Sequence, residues 1–335
     1  MDEMTLLRRT RAHVPAVEAD TLAAARQLLM RAALEDRRPS RGRRVLLPAA
    51  ATMAAALVAL TIGLWPGHQQ AATAADALRA AASASSRTPD PVTRPGQYLR
   101  VTTHEKTVGY VTGEGGGVIG AYVVRPVATT WIPHDRTGSW VSRSYSLAPT
   151  TIYGGEAVRR AAERDYAESA TAERPNLERA TAGEFGNGEL GGGEDRLVGV
   201  ADLSSLPRTG RALLDRLADA PGAAEPRSDK VMSQIASLLR SGLVPNDLRG
   251  AMYDAIALLP DVVITDDQAN LDGRTGTAIG VRSSTGTELD EVLIDRETGD
   301  YLGQRQTQLV RQGAVPANTV IDSTSVRVSV VDEAP

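Results

Sequence analysis

The chain contains no cysteine. That absence excludes disulfides, thiolate nucleophiles and cysteine-based zinc or iron–sulfur sites in one step. An exported domain must then be held by its core alone, which is feasible at about 250 residues. Lysine is nearly missing too, with only Lys106 and Lys230, while alanine and arginine abound; we read this as a coding bias rather than as chemistry. Catalytic signatures are also scarce. No two of the four histidines (His13, His68, His104, His134) stand four residues apart, so a helical zinc pair is lacking. No G-x-S-x-G elbow or S-x-x-K motif marks a nucleophile. The C-terminal part carries no basic stripe with interleaved aromatics, so nucleic acid is not an expected partner.

What is present is an uncharged run. Val45 to Trp65 holds 21 residues without a charged side chain. At helical rise they span about 31 Å, close to the ~30 Å hydrocarbon thickness of a bilayer. Five Leu, two Val and one Ile in the run favour insertion by roughly 2–5 kcal/mol together, against Pro48, Thr52, Thr61 and Gly63. Trp65 followed by Pro66 and Gly67 reads as an interfacial ring and a helix stop. A soluble core helix rarely runs so far without a polar face. A cleaved signal peptide has a short leading region and a shorter apolar core, although "AATAADA" at 71–77 imitates a cleavage site. The spacing therefore points to an uncleaved transmembrane helix over 45–65, with the lipid bilayer as a partner. Orientation follows from Arg31, Arg37, Arg38, Arg41, Arg43 and Arg44 before the span against Arg79 after it, which puts the N-terminus in the cytoplasm and the C-terminal part outside. Ala51, Ala55, Ala59 and Gly63 form a small-residue row through which two anchors would associate weakly.

Charge divides in the same place. Residues 1–44 hold ten Arg against six Asp/Glu; residues 66–335 hold 27 Lys/Arg against 35 Asp/Glu. The two ends are expected to meet different surroundings. Residues 1–44 read as a cytoplasmic head of two short helices, over 3–11 and 19–36, with an Arg-rich end. Helices that short are marginal alone, so the head either lies on anionic headgroups or docks a cytoplasmic protein partner. Its layout is similar to that of anti-sigma factors, but their usual zinc-holding head needs two cysteines beside a histidine, and none is here.

Residues 66–96, ending in "ASASSRTPDPVTRPG", read as a linker. From 97 to 335 an α+β domain is expected, with an antiparallel, curved β-sheet packed on one side by helices. "YLRVTTHEKTVGYVT", "VIGAYVV", "ATTWIPH" and "GSWVSRSYSL" are β-rich runs between turns. A helix is expected at 156–170, then a mobile Gly-rich insertion near 171–195. Three helices follow, one with Ser228 as its cap and one capped by Asn246, with Leu248, Met252, Ile256 and Leu259 one stripe apart. Strands then resume. Val326, Val328 and Val330 share a face opposite Arg327 and Ser329, and Gly299 supplies the positive φ of a hairpin.

"PNDLRGAMYDAIALLPDV", "DGRTGTAIGVR", "LIDRETGDYLGQR" and the opening "DEMTLLRRTRAHVPAVEADTLAAARQLLMRA" resemble a family of uncharacterised actinobacterial single-span membrane proteins. The resemblance implies a short inner head, one span and an outer α+β domain, and transfers no catalytic residue. The expected curved sheet with helices is also similar to the half-barrel of bacterial lipoprotein carriers.

Other motifs dissolve on inspection. Gly186-x-Gly188-x-x-Gly191 lacks the flanking strand and helix of a dinucleotide fingerprint, and Glu189, Glu194 and Asp195 would repel phosphate. "DDQANLDG" at 266–273 has Gln268 in the first ligand position of a calcium loop and reads as a hairpin turn. His134, beside Asp135, reads as a solvated turn residue. No catalytic, cofactor-binding or metal-binding residue is assigned. The leading expectation is a non-enzymatic binding or sensing module of the cell envelope, signalling to a cytoplasmic partner. The alternatives are a carrier for lipid or another apolar ligand, and a cell-envelope hydrolase using His104 or His134.

Overall fold

A computed structural model describes residues 66–113, 115–169, 175–185, 200–218 and 228–335. The head (1–44), the apolar run (45–65) and the Gly186–Gly191 motif lie outside the described residues. Among the described residues, no helix is long and apolar enough to cross a membrane.

The core is one antiparallel sheet of ten strands with helices on one face, an α+β arrangement as expected. In chain order the strands are β1 Tyr98–Thr112, β2 Val118–Pro133, β3 Ser139–Leu147, β4 Ile152–Tyr153 and β5 Asn176–Thr181, then β6 Val263–Leu271, β7 Arg274–Arg282, β8 Glu288–Ile294, β9 Tyr301–Gln308 and β10 Thr319–Val331. Their spatial order is β5-β3-β2-β1-β10-β9-β8-β7-β6, with β4 beside β2. The first strand thus starts in the middle, the chain walks out to one edge, re-enters at the other and walks back. β10 closes the path against β1, from Tyr98↔Val331 to Thr107↔Asp322. The two apolar runs expected as separate strands are one 16-residue strand, β2. Pro126 lies inside it where the pairing with β1 skips from His104↔Val127 to Thr107↔Val124, so its missing N–H breaks no bond of that ladder.

The helices are α1 Pro66–Arg87, α2 Glu156–Glu168, α3 Val200–Ser205, α4 Gly210–Ala218, α5 Ser228–Arg240 and α6 Asn246–Ile256. α1 corrects the linker expected at 66–96. Pro66 is the first residue of this helix, a position where its absent N–H costs nothing. Ala74, Ala77, Leu78, Ala81, Ala82 and Ser85 recur every three or four residues and are buried, so the helix belongs to the core. It packs on α6, whose Gly250 would bring a Cβ within 3.2 Å of the Ala82 carbonyl. Within the segment expected as an insertion, 176–181 is the edge strand β5, paired to β3 from Ser139↔Thr181 to Ser144↔Asn176.

Asn246 does not cap α6. Pro245 occupies the cap position without a side-chain bond. The Asn246 amide N–H instead donates to Asp90 Oδ1 at 2.9 Å, and its side chain donates to the Thr88 carbonyl. The cap is therefore supplied by the segment leaving α1. Ser85 Oγ completes the joint by donating to the Asn246 carbonyl at 2.9 Å. Gly299, in the β8–β9 turn, has φ 74° and accepts from the Tyr253 hydroxyl at 3.2 Å. A Cβ there would come within 2.5 Å of the Ala81 carbonyl. Two of the segments quoted for the resemblance, 245–262 and 293–305, thus meet at a packing junction with α1.

One continuous core joins the helices to Leu99, Val101, Ile132, Trp140, Ile279, Val281, Val292, Ile294 and Val326 of the sheet. The opposite sheet face holds two small apolar clusters, Ala269/Leu271/Ala278/Leu293/Leu302 and Val108/Ala121/Val315. The β6–β7 hairpin crosses that face. Its turn, Asp272–Gly273, has positive φ at both positions (52° and 78°), as a two-residue I′ loop requires. Arg274 Nη2 donates to the Leu302 carbonyl at 2.7 Å and to the Val326 carbonyl at 2.5 Å. β7 and β10 are separated by two strands, about 14 Å in a flat sheet, so these bonds require the sheet to curl over the helix-free face.

Candidate functional site

Alternation along β1 sends Leu99 and Val101 to the helices and Arg100, Thr102 and His104 to the helix-free face. Pairing register then fixes their neighbours. Arg143, Thr129, Thr102 and Arg327 form one row across β3, β2, β1 and β10. Tyr145, Val127, His104 and Ser325 form the next, and Trp131, Arg100 and Ser329 flank them on the other side. Asp272 and Arg274, from the hairpin tip, overhang this floor. The result is an open cleft of about 770 Å³.

Each charged group in it is held by its neighbours. Asp272 Oδ2 accepts from His104 Nδ1 at 3.0 Å, from Ser325 Oγ at 3.2 Å and from Arg327 Nη2 at 3.2 Å. Burial alone would raise the Asp272 carboxyl, but those contacts outweigh it and hold the group below the usual aspartate range. The Arg327 guanidinium also donates to the Asp272 carbonyl at 2.6 Å. Arg100 Nε donates to Ser329 Oγ at 3.2 Å. The Arg143 guanidinium lies 5.4 Å from the centroid of the Trp131 ring, a cation–π distance. Burial, and then the like charge of Arg327, lower Arg274 from the usual arginine range. The Thr102 and Thr129 hydroxyls, 3.4 Å apart, lie on the floor between the arginines.

Four guanidiniums and a histidine therefore face a single carboxylate. Among the described residues, no carboxylate lies within ion-pair distance of Arg100, Arg143 or Arg274. The same face continues beyond the hairpin to a second depression of about 430 Å³, with Lys106, Arg125 and Arg305 on its wall. Arg305 there is neutralised by buried Glu291 through two bonds of 2.6 and 2.9 Å. That pair is structural.

Of the two histidines considered for catalysis, His104 lines the cleft and His134 does not. His134 lies past the end of β2 with Nδ1 3.4 Å from Thr93 Oγ1, in a turn where Asp135 accepts from Thr137. His104 and Asp272 form a dyad, but Ser325 donates to Asp272 and not to the imidazole, so the three do not make a nucleophile–base–orienter chain. The 266–273 segment is strand β6 and its turn. Among the described residues, no group of three or more His, Asp or Glu is placed to hold a metal ion. The four arginines were not singled out by sequence; each is a lone cation on the polar side of a strand or at a turn.

No family model matches the chain, and no curated protein matches it. Among solved structures it is similar at 10% identity to a DUF1329 family protein from Desulfovibrio piger, with 78% of this chain and 92% of that chain covered and a TM-score of 0.21. A likeness at that TM-score carries no argument.

Proposed function

We propose that the protein is a single-pass cell-envelope protein whose outer α+β domain is a non-enzymatic binding module working through the helix-free face of its sheet, with residues 1–44 relaying to a cytoplasmic partner. The anchoring part rests on the uncharged run 45–65 with its arginine collar and on the resemblance to single-span actinobacterial proteins. The binding part rests on one observation: the cleft is open, and Arg100, Arg143 and Arg274 in it are fixed by internal contacts with no carboxylate among the described residues at ion-pair distance. A carrier of apolar ligands would need a hollow of aliphatic side chains, whereas arginines and threonines form these walls.

The lack of native cysteine makes the topology directly testable. In intact cells a membrane-impermeant maleimide is expected to label an Ala317→Cys variant at once, and a Ser40→Cys variant only after permeabilisation. The reverse pattern removes the anchored reading. For binding, native mass spectrometry of the full chain from its own membrane should show a retained small molecule that a cleft-filling Thr129→Trp variant loses. Equal spectra for the two proteins would reject the cleft as the binding site.

A further inference from the structure

We propose that the cleft between β3 and the β6–β7 hairpin is a site for a phosphate-class anion, either free or as the headgroup of a lipid. This rests on the binding reading above and adds the chemistry of the ligand.

The first argument is charge placement. Residues 66–335 carry an excess of acids, 35 against 27. Yet the cleft gathers Arg100, Arg143, Arg274 and Arg327 around one carboxylate, Asp272, and that carboxylate is already spent on His104, Ser325 and Arg327. Like charges held together raise the energy of the empty cleft, and an anion entering it removes that cost.

The second argument is unmet hydrogen bonding. Among the described residues, Arg143 Nε and Arg274 Nε are buried without a hydrogen-bond partner, as is Arg240 Nε outside the cleft. A buried donor normally finds one, and the exceptions concentrate at sites that act on something. Both guanidiniums are nevertheless pinned, Arg143 by the Trp131 ring and Arg274 by two carbonyls. The guanidiniums are thus held in place, so little side-chain freedom remains to be lost on binding.

Geometry then selects the anion. The cations stand on opposite banks, Arg143 on β3 against Arg327 and Arg274, with Thr102 and Thr129 hydroxyls beneath. Donors that converge from two sides and from below suit a tetrahedral oxyanion with several acceptor oxygens. A carboxylate accepts mainly within its own plane and would leave one bank unmet.

The test is calorimetric titration of the full chain in nonionic detergent with inorganic pyrophosphate, at 50 and 300 mM sodium chloride. Binding is expected at low salt and weaker at high salt. Arg143→Gln and Arg100→Gln should each weaken it by about ten-fold or more, while Arg311→Gln, on an exposed loop, should change it less than about two-fold. Thermal midpoints near wild type in all three variants confirm that they fold. Two further arms identify the source of the anion: tighter binding of dihexanoyl phosphatidic acid than of glycerol 3-phosphate means a lipid headgroup, and equal binding means a free phosphate. No heat with millimolar pyrophosphate, equal losses in Arg143→Gln and Arg311→Gln, or succinate binding as well as pyrophosphate would each overturn the proposal. A retained uncharged molecule in the mass spectra would preserve the binding module while refuting this ligand class.

Discussion

Leu78→Ala tests whether α1 is part of the fold or a spacer between the apolar run and the sheet. Leu78 is 0% exposed, in a row with Ala74, Ala77, Ala81 and Ala82 against α6. Those neighbours are already small, so they cannot lean in to fill the space that a truncated leucine leaves. The lost transfer energy and the residual cavity together should therefore reach about 3–5 kcal/mol, the upper part of the range for buried Leu→Ala changes. For a domain of this size each kcal/mol moves the melting temperature by about 2–4 °C, so a drop of roughly 6–20 °C is expected. Arg79→Ala is the control one residue along. Arg79 is 56% exposed and pairs with Asp76, at 3.0 Å on the same helix, so its loss should cost about 0.5 kcal/mol or less. Both variants are read by thermal and urea melts of the full chain in detergent. Equal, small losses for the two would refute the reasoning and return 66–87 to the role of a linker.

Gly299→Ala should lower the melting temperature far more than Gly286→Ala, although both glycines have positive φ (74° and 70°). The Gly286 change meets nothing within 4 Å and carries only the conformational cost of about 1–2 kcal/mol, whereas the Gly299 change also drives a methyl into the α1 backbone; similar melts would mean that the turn does not dock on α1. Asp290→Asn should stabilise the protein at pH 8. Burial first, and then Glu288, Asp229 and Glu291, raise the Asp290 carboxyl, against a lowering hydrogen bond from Gln306 at 2.8 Å that asparagine can still accept. With the folded value above the unfolded one, the charged form costs nothing below about pH 3.9 and progressively more as pH rises through the folded value. The advantage of the variant should therefore vanish on acidification, and a pH-independent difference would contradict the assignment.

How much of this was legible in the sequence depends on the range of the interaction. β1 alternates as expected where buried Leu99 and Val101 flank exposed Arg100, and α5 and α6 follow their apolar stripes, because these patterns are local. β10 does not, since 323–326 are buried consecutively and Val328 and Val330, expected on the buried face with Val326, are exposed. α1 was hidden by composition: "AATAADALRAAASASSR" looks like small polar linker chemistry, but its alanines and Leu78 recur at helical spacing, and the pattern outranks the residue types. The Asn246 cap failed for another reason, since the acceptor that satisfies its amide, Asp90, lies 156 residues away. The cleft was out of reach altogether. Arg100 and Ser329 touch across 229 positions, and Arg143 joins them only through the register of two further strands. Local patterning says that each of these arginines points away from the core, and nothing local says that they point at one another.

That convergence is where the chain departs most from what stability alone would favour. Elsewhere many of its charges are paired on helix surfaces, as Arg159 is with Glu156 and Glu163, or neutralised in the sheet, as Arg305 is by Glu291, although Arg240 Nε is also buried without a partner among the described residues. In the cleft an acidic domain concentrates cations, lowers one of them through burial and its neighbour's charge, and leaves two guanidinium nitrogens buried without partners among the described residues. A fold with a large continuous core on the other face of the sheet can carry such a cost, and sites that break local rules at a net expense are where binding is expected. The hairpin that overhangs the cleft depends on the same charges, through Asp272 and Arg274, so its position and the cleft's occupancy are energetically coupled. An anion that competes with Asp272 for Arg327 would loosen the tip, whereas one held by Arg143 and Arg274 would leave it closed.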